Sequence, residues 1–366
     1  MMSRVAVITL ADFNNYGNRL QNYALERVIV EMGYEVNSIV PYRPNIIKEA
    51  VKTVVREKDV PFTQKWLQLK RLNNFLSFDK KYAHTCSIND DDFYTIPIEN
   101  YDCFISGSDQ VWNPDWADYI YDKMFLRFCP TNQRISYAAS FGVDGIPDKW
   151  REKYTVGLSE FHYLSVREKN AVEIVESLIG TKCEKVLDPT MLLDRYMWDE
   201  IKKVPKKVHE KKYILTYFLG KKTDSINAEL MKYSQMYHYD IINLLDLKDD
   251  EYAAAPDEFI GLISEAKLIM TDSFHATVFS IIYERPFIVY DRKGIGSKMG
   301  GRLSSLLEMC GLVERKSDCI RKNQLLNCDF TEAKKEIEQE KKHSMEFLKS
   351  AIKECVDSNA HTMQNK

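Results

Sequence analysis

A chain of 366 residues with 45% hydrophobic and 29% charged residues is long enough for two or three domains with sizeable cores. Its net charge of −3 provides no bulk attraction to nucleic acid or to an anionic membrane surface. The eight cysteines show neither a CxxC nor a Cys/His pairing at zinc spacing, which predicts reduced thiols, no metal site and a cytoplasmic protein.

The N-terminal MMSRVAVITL is apolar for too few residues to be a signal peptide and reads as a first strand, Val5–Leu10. No run approaches the roughly 20 apolar residues of a membrane span. After the polar turn at 11–17, Leu25, Val28, Ile29 and Met32 fall at i, i+3, i+4 and i+7, which predicts a helix over 18–32. Gly33 ends it, and Tyr34–Val40 forms the next strand, so the opening is β-α-β and the sheet parallel. Residues 45–85 are basic and helical and read as an insertion, either a mobile lid or a face for an acceptor. Tyr101–Ser106, Arg134–Ser140, Tyr163–Arg167 and Lys185–Asp188 are further strands, each ending in a small polar turn. Such a doubly wound sheet places its site along the carboxyl edges of the strands. Residues 196–211, charged and containing Pro205, form the best linker. Beyond it, the strands at 213–217, 240–245, 268–270 and 287–290 alternate with helices at 224–237, 257–266 and 276–283, a second and smaller α/β unit. The predicted organisation is a first Rossmann-like domain over 1–200, a second over 211–330, and a charged helix at 331–358 that packs back.

The stretch KLIMTDSFHATVFSIIYER (267–285) is a buried strand, a turn of good N-cap residues and an apolar helix. That half-unit is where α/β proteins place anions. His275 lies in the first turn of the helix, where it is suited either to a structural hydrogen bond or to carrying a proton. Arg167 ends a buried strand and either pairs with Glu168 or Glu173 or clamps a phosphate or carboxylate. Asn14, Asn15 and Gly17 belong to a turn that either caps the first helix or presents donors to a sugar or phosphate. Asp109, after Gly107 and Ser108, is either an N-cap or an acid. Lys293, Lys298 and Arg302 either line an anion site or belong to a solvated loop. GxGxxG, GxxxxGK[ST] and GxSxG are all missing from the sequence.

Seven segments together resemble the polysaccharide pyruvyl transferase family: NYGNRLQNYAL (15–25), FISGSDQVWNP (104–114), SYAASFG (136–142), LSVRE (164–168), VLDPTMLL (186–193), TDSFHATVFSIIYERPFI (271–288) and GRLSSLLEMCGL (301–312). The resemblance implies a GT-B-like architecture of two Rossmann-like domains facing a cleft. It further implies phosphoenolpyruvate as donor, with no other cofactor, and a hydroxyl pair of a sugar or lipid-linked oligosaccharide as acceptor, in building a bacterial surface polysaccharide of the capsular or exopolysaccharide kind. The family's histidine maps onto His275 and its strand-end arginine onto Arg167. Thr271, Ser273, Asn15, Gly17, Lys298 and Arg302 are the candidates for donor binding; Asn14, Ser108, Asp109 and Ser140 are those for the acceptor. Some members carry an arginine two residues before the histidine, where this chain has Ser273, so anion binding then leans on Arg167, backbone N–H groups, Lys298 or Arg302. Two rivals remain: a nucleotide-sugar glycosyltransferase on the same fold, and a non-catalytic saccharide-binding protein. The basic segment at 48–71 could approach the inner face of a membrane.

Overall fold

In chain order the elements begin with β1 (Arg4–Ile8), α1 (Tyr16–Glu31), β2 (Glu35–Val40), α2 (Ile46–Arg56), α3 (Phe62–Tyr82), β3 (Thr85–Ser87) and β4 (Cys103–Ser106). Next come α4 (Ala117–Met124), β5 (Arg134–Ser136), α5 (Asp148–Ser159), β6 (Ser165–Val166), α6 (Lys169–Ile179), β7 (Glu184–Lys185) and α7 (Arg195–Asp199). The second half holds β8 (Tyr213–Tyr217), α8 (Asp224–Tyr237), β9 (Asp240–Asn243), α9 (Pro256–Glu265), β10 (Leu268–Thr271), α10 (Phe274–Ile282), β11 (Phe287–Val289), α11 (Gly300–Met309) and α12 (Thr331–Gln364). The computed structural model describes residues 2–40, 44–56, 61–87, 96–294 and 300–364.

The ladders are parallel throughout. One sheet runs β3-β2-β1-β4-β5, a second runs β11-β10-β8-β9, and β6 pairs with β7 beside the first. Buried strands such as RVAVI, CFIS and LIMT are apolar on both faces, as sheets covered by helices require. This is a GT-B-like pair of α/β units.

Two expected strands are shorter than their apolar runs. The strand expected over 134–140 is a regular strand only through Ser136, because Ala138 takes φ 53° and interrupts the ladder; Ala139 then pairs again, as single parallel bridges to Asp109 and Val166. The strand expected to end at Asp188 stops at Lys185, and Asp188 instead caps a short turn begun by Pro189. The expected linker is also no free tether. Its α7 buries Trp198 fully, with the indole 4.8 Å from the Phe279 ring and its N–H donating to the Thr190 carbonyl at 3.2 Å.

One hydrophobic cluster runs through both units, from Val5 and Leu25 to Leu215 and Phe259. At the junction the Tyr16 ring stacks on Phe259 at 4.4 Å, and its hydroxyl donates to the Ala254 carbonyl at 3.0 Å. Arg71, buried on α3, donates to Tyr16 Oη at 2.7 Å and to the carbonyls of Tyr252 at 2.6 Å and Asn14 at 2.8 Å. Its guanidinium also lies over the Tyr16 ring at 4.5 Å. The reading of the insertion as a mobile lid therefore fails for α3: a buried cation with three fixed acceptors pins it across the junction. The C-terminal helix returns to the first unit, where Leu348, Ala351, Ile352 and Cys355 are buried and Ser344 Oγ accepts the Leu187 N–H at 2.9 Å.

Arg71→Ala removes a buried cation that serves the buried Tyr16 hydroxyl and two part-buried carbonyls, so it is expected to destabilise the protein by about 3 kcal/mol. Urea unfolding measures this, and a change below about 1 kcal/mol would mean that the junction does not depend on Arg71.

Candidate functional site

The turn between β10 and α10 holds itself in shape. Thr271 Oγ1 donates to the Tyr217 carbonyl and accepts the Ser273 N–H at 3.0 Å, while Ser273 caps α10 by accepting the Ala276 N–H at 3.4 Å. Asp272 accepts the N–H groups of Leu219 and Gly220 at 2.7 and 2.8 Å, tying β8's end to β10's. The second residue of α10, His275, is thereby aimed at the first unit.

There it meets α1. A Cβ placed on Gly17 would lie 1.9 Å from His275 Nδ1, so only glycine lets the start of α1 approach the ring this closely. On its other side, His275 Nε2 lies 3.5 Å from Asp188 Oδ2. The same oxygen accepts Arg167 Nη1 at 2.7 Å and Ser108 Oγ at 3.0 Å. Asp188 Oδ1 is held by the Thr190 N–H at 3.0 Å and hydroxyl at 2.6 Å. Arg167 Nε donates to Glu168 Oε1 at 2.9 Å, and Phe274 lies under the guanidinium at 4.6 Å. Both acids and the arginine are buried.

Burial by itself would raise the Asp188 carboxyl, but His275 and the Arg167 guanidinium hold it well below the usual carboxylate range. Burial likewise opposes charge on Arg167, yet Glu168 and Asp188 outweigh it and raise its pKa. Arg302, on α11 of the second unit, goes the other way. Burial, followed by the like charge of Arg167, brings it down to about 10, so it is still a cation at neutral pH. Gln110, with its amide oxygen turned toward Arg302, accepts from both Nη atoms at 3.2 and 3.3 Å. A cavity of about 570 Å³ is lined by the cations Arg167, Lys169, Lys185 and Arg302, by the acids Glu168, Asp188, Glu308, Glu332 and Glu336, and by Phe274. Arg167 and Arg302, buried guanidiniums from different units, thus both line it, and each can bind an anionic group through its planar fork. His275 does not line this cavity and reaches it through Asp188.

The remaining candidates divide. Ser108 and Gly17 touch the cluster directly. Asp109, at φ 76°, turns its carboxylate to Asn18, which donates at 3.1 Å; it caps no helix among the described residues. Asn15 caps α1, and the Asn14 carbonyl serves Arg71. Ser140 Oγ accepts the Gly142 N–H at 3.2 Å. These contacts, like those of Thr271 and Ser273, shape loops and offer nothing to the cavity. Lys298 lies outside the described residues. The sequence reading missed Asp188, the hub of the cluster. Its signal was an aspartate between a buried strand and a proline in VLDPT, a position that aims a carboxylate off a sheet edge.

The chain matches the polysaccharide pyruvyl transferase family over residues 15–294 and belongs to that family. No curated protein matches the sequence. Among solved structures it is similar to a UDP-GlcNAc 2-epimerase of Methanocaldococcus jannaschii in complex with UDP-GlcNAc and UDP, at 12% identity and a TM-score of 0.46 over 92% of this chain and 98% of that one. It is also similar to a glycosyltransferase of Rickettsia africae, at 11% identity and a TM-score of 0.47 over 100% of this chain and 98% of that one.

Gly17→Ala is expected to push the imidazole off its seat and to cost about 1–3 kcal/mol by overpacking; unchanged urea unfolding would mean that the approach is not close. Asp188 has a folded pKa below its unfolded value near 3.9, so its ionised form adds stability above that pH and loses it as pH falls through the folded value. Asp188→Asn should therefore flatten the loss of stability between about pH 4 and pH 2. Urea titrations across that range test this, and an unaltered acid limb would count against a coupled carboxylate.

Proposed function

We propose that this member of the family is a pyruvyl transferase that moves the enolpyruvyl group of phosphoenolpyruvate onto a hydroxyl pair of a sugar, as a cyclic ketal, in making a bacterial surface polysaccharide. The observation that carries this reading is the pair of buried cations, Arg167 and Arg302, in the lining of one cavity beside the His275–Asp188 pair. Phosphoenolpyruvate carries a phosphate ester and a carboxylate on one carbon, C2, so it can satisfy two guanidiniums at once. Its arrival would offset the burial and the like charge of Arg167 that lower the Arg302 pKa.

The reaction needs a proton on the methylene carbon of the donor, which leaves cationic character at C2. A sugar hydroxyl attacks C2 and the C2–O bond to phosphate breaks; the second hydroxyl then closes the ketal, and of the two hydroxyl protons one restores the proton donor and the other leaves with phosphate. His275 is the proton donor in this scheme. Asp188 lies on the Nε2 side of the ring and places a negative charge beside it. The 3.5 Å approach to Asp188 is longer than a hydrogen bond, and it must open for Nε2 to reach a substrate in the cavity. Arg167 and Arg302 hold the anionic groups and offset the charge on the departing phosphate. Ser108 touches Asp188 on the first unit's side, where it can orient an acceptor hydroxyl. The acceptor is a sugar or a lipid-linked oligosaccharide, and the protein works at the cytoplasmic side of the membrane.

A thermal-shift titration with phosphoenolpyruvate tests the donor. A ligand that binds only the folded protein raises its stability by about 2.7 kcal/mol at a hundredfold excess over Kd. The wild type should shift, and Arg167→Ala and Arg302→Ala should shift much less. No shift with phosphoenolpyruvate, together with one from a nucleotide sugar, would replace this reading with a glycosyltransferase. His275→Ala should keep the fold and the shift but lose about 10²–10⁴-fold in transfer rate; near-normal turnover would remove His275 from the chemistry.

A further inference from the structure

Helices α2 and α3 present an apolar face that the fold leaves open. Ile47 and Val51 are 72% and 59% exposed, and Phe62 and Trp66 are 77% and 60% exposed. Each pair is spaced i, i+4 and so shares one side of its helix, and the two helices pack together. This exposure does not come from a loose element. The other side of α3 buries Arg71, Phe75 and Phe78 in the junction between the units, so Phe62 and Trp66 are held outward on a fixed strut.

Charge narrows what this face meets. Residues 44–87 contain nine Lys or Arg against four Asp or Glu, in a chain whose net charge is −3. Lys48, Lys52 and Lys70 are exposed on the same two helices, with Lys52 paired to Glu49 at 2.5 Å. Beside Phe62 and Trp66 lies a groove of about 460 Å³ that continues to Pro205 and Ala253. Of its carboxylates, Asp250 pairs with Lys207 and Glu258 accepts the Ala255 N–H at 2.9 Å, while Glu251 lies among them. Two of the groove's three acids are therefore answered from within the protein, while Lys70 in its lining and Lys48 on the neighbouring helix stand exposed.

We propose that this face is a docking surface for an anionic lipid bilayer, with Ile47, Val51, Phe62 and Trp66 seated at the headgroup level and the flanking lysines on lipid phosphates. Amphipathic helices with aliphatic and aromatic anchors beside lysines lie in the plane of such an interface, and lysine stems reach past the apolar face to the phosphates. No helix among the described residues is long and apolar enough to cross a membrane, so the attachment is peripheral. Apolar contact and charge act together, so binding should depend on both anionic lipid and salt.

Co-sedimentation of the full chain with vesicles tests the proposal, using phosphatidylcholine alone and phosphatidylcholine with phosphatidylglycerol. The protein should pellet with the mixed vesicles at low salt and stay in solution with the neutral ones. The Phe62→Ser/Trp66→Ser variant, with both changes on exposed positions, should bind about tenfold or more weakly while keeping the wild-type melting temperature. Failure of the wild type to bind anionic vesicles at low salt would overturn the proposal, as would equal binding by the double variant. A wild-type dimer in gel filtration that the double variant converts to a monomer would also overturn it, since a second copy would then cover the face.

Discussion

One buried carboxylate oxygen organises this protein's cleft. Asp188 Oδ2 accepts Arg167 and Ser108 and faces the His275 ring, so three segments of the first unit and one helix of the second converge on it. Desolvating such a cluster costs several kcal/mol per ion, and mutual attraction only partly offsets the cost. Apolar side chains could join two units more cheaply.

The cluster can exist only because the units are held in register elsewhere. Tyr16 stacks on Phe259 one residue before the glycine that meets His275. The aromatic junction therefore sets the distance at which α1 and α10 approach each other. Arg71 reinforces it from the insertion, and α12, reached only after the second unit, returns to cover the first. Packing sets the geometry, and the charges then take the positions it leaves them.

The electrostatics are local and not global. A mildly acidic chain concentrates Arg167 and Arg302 at its cavity and a basic, apolar-faced pair of helices away from it. The two arginines show the contrast: burial, then the like charge of Arg167, lowers the pKa of Arg302, whereas burial of Arg167 is outweighed by Glu168 and Asp188, which raise its pKa.

The sequence by itself determined the strand–turn–helix units, their parallel arrangement and the family, because periodicity, caps and motif order are local properties of the chain. It also singled out His275, Arg167 and Arg302, each left with a structural alternative at that stage. For Arg167 the tertiary structure shows the pairing with Glu168 and a position in the cavity lining. Only the tertiary structure decided that Asp188 joins Arg167 to His275, that Gly17 is the ring's neighbour, and that the insertion's second helix is pinned in place. It also turned Thr271, Ser273, Asn15 and Ser140 to holding their own loops. Those outcomes depend on contacts between residues some 20 to 260 positions apart, and no local pattern encodes which distant group will fill a buried oxygen's last lone pair.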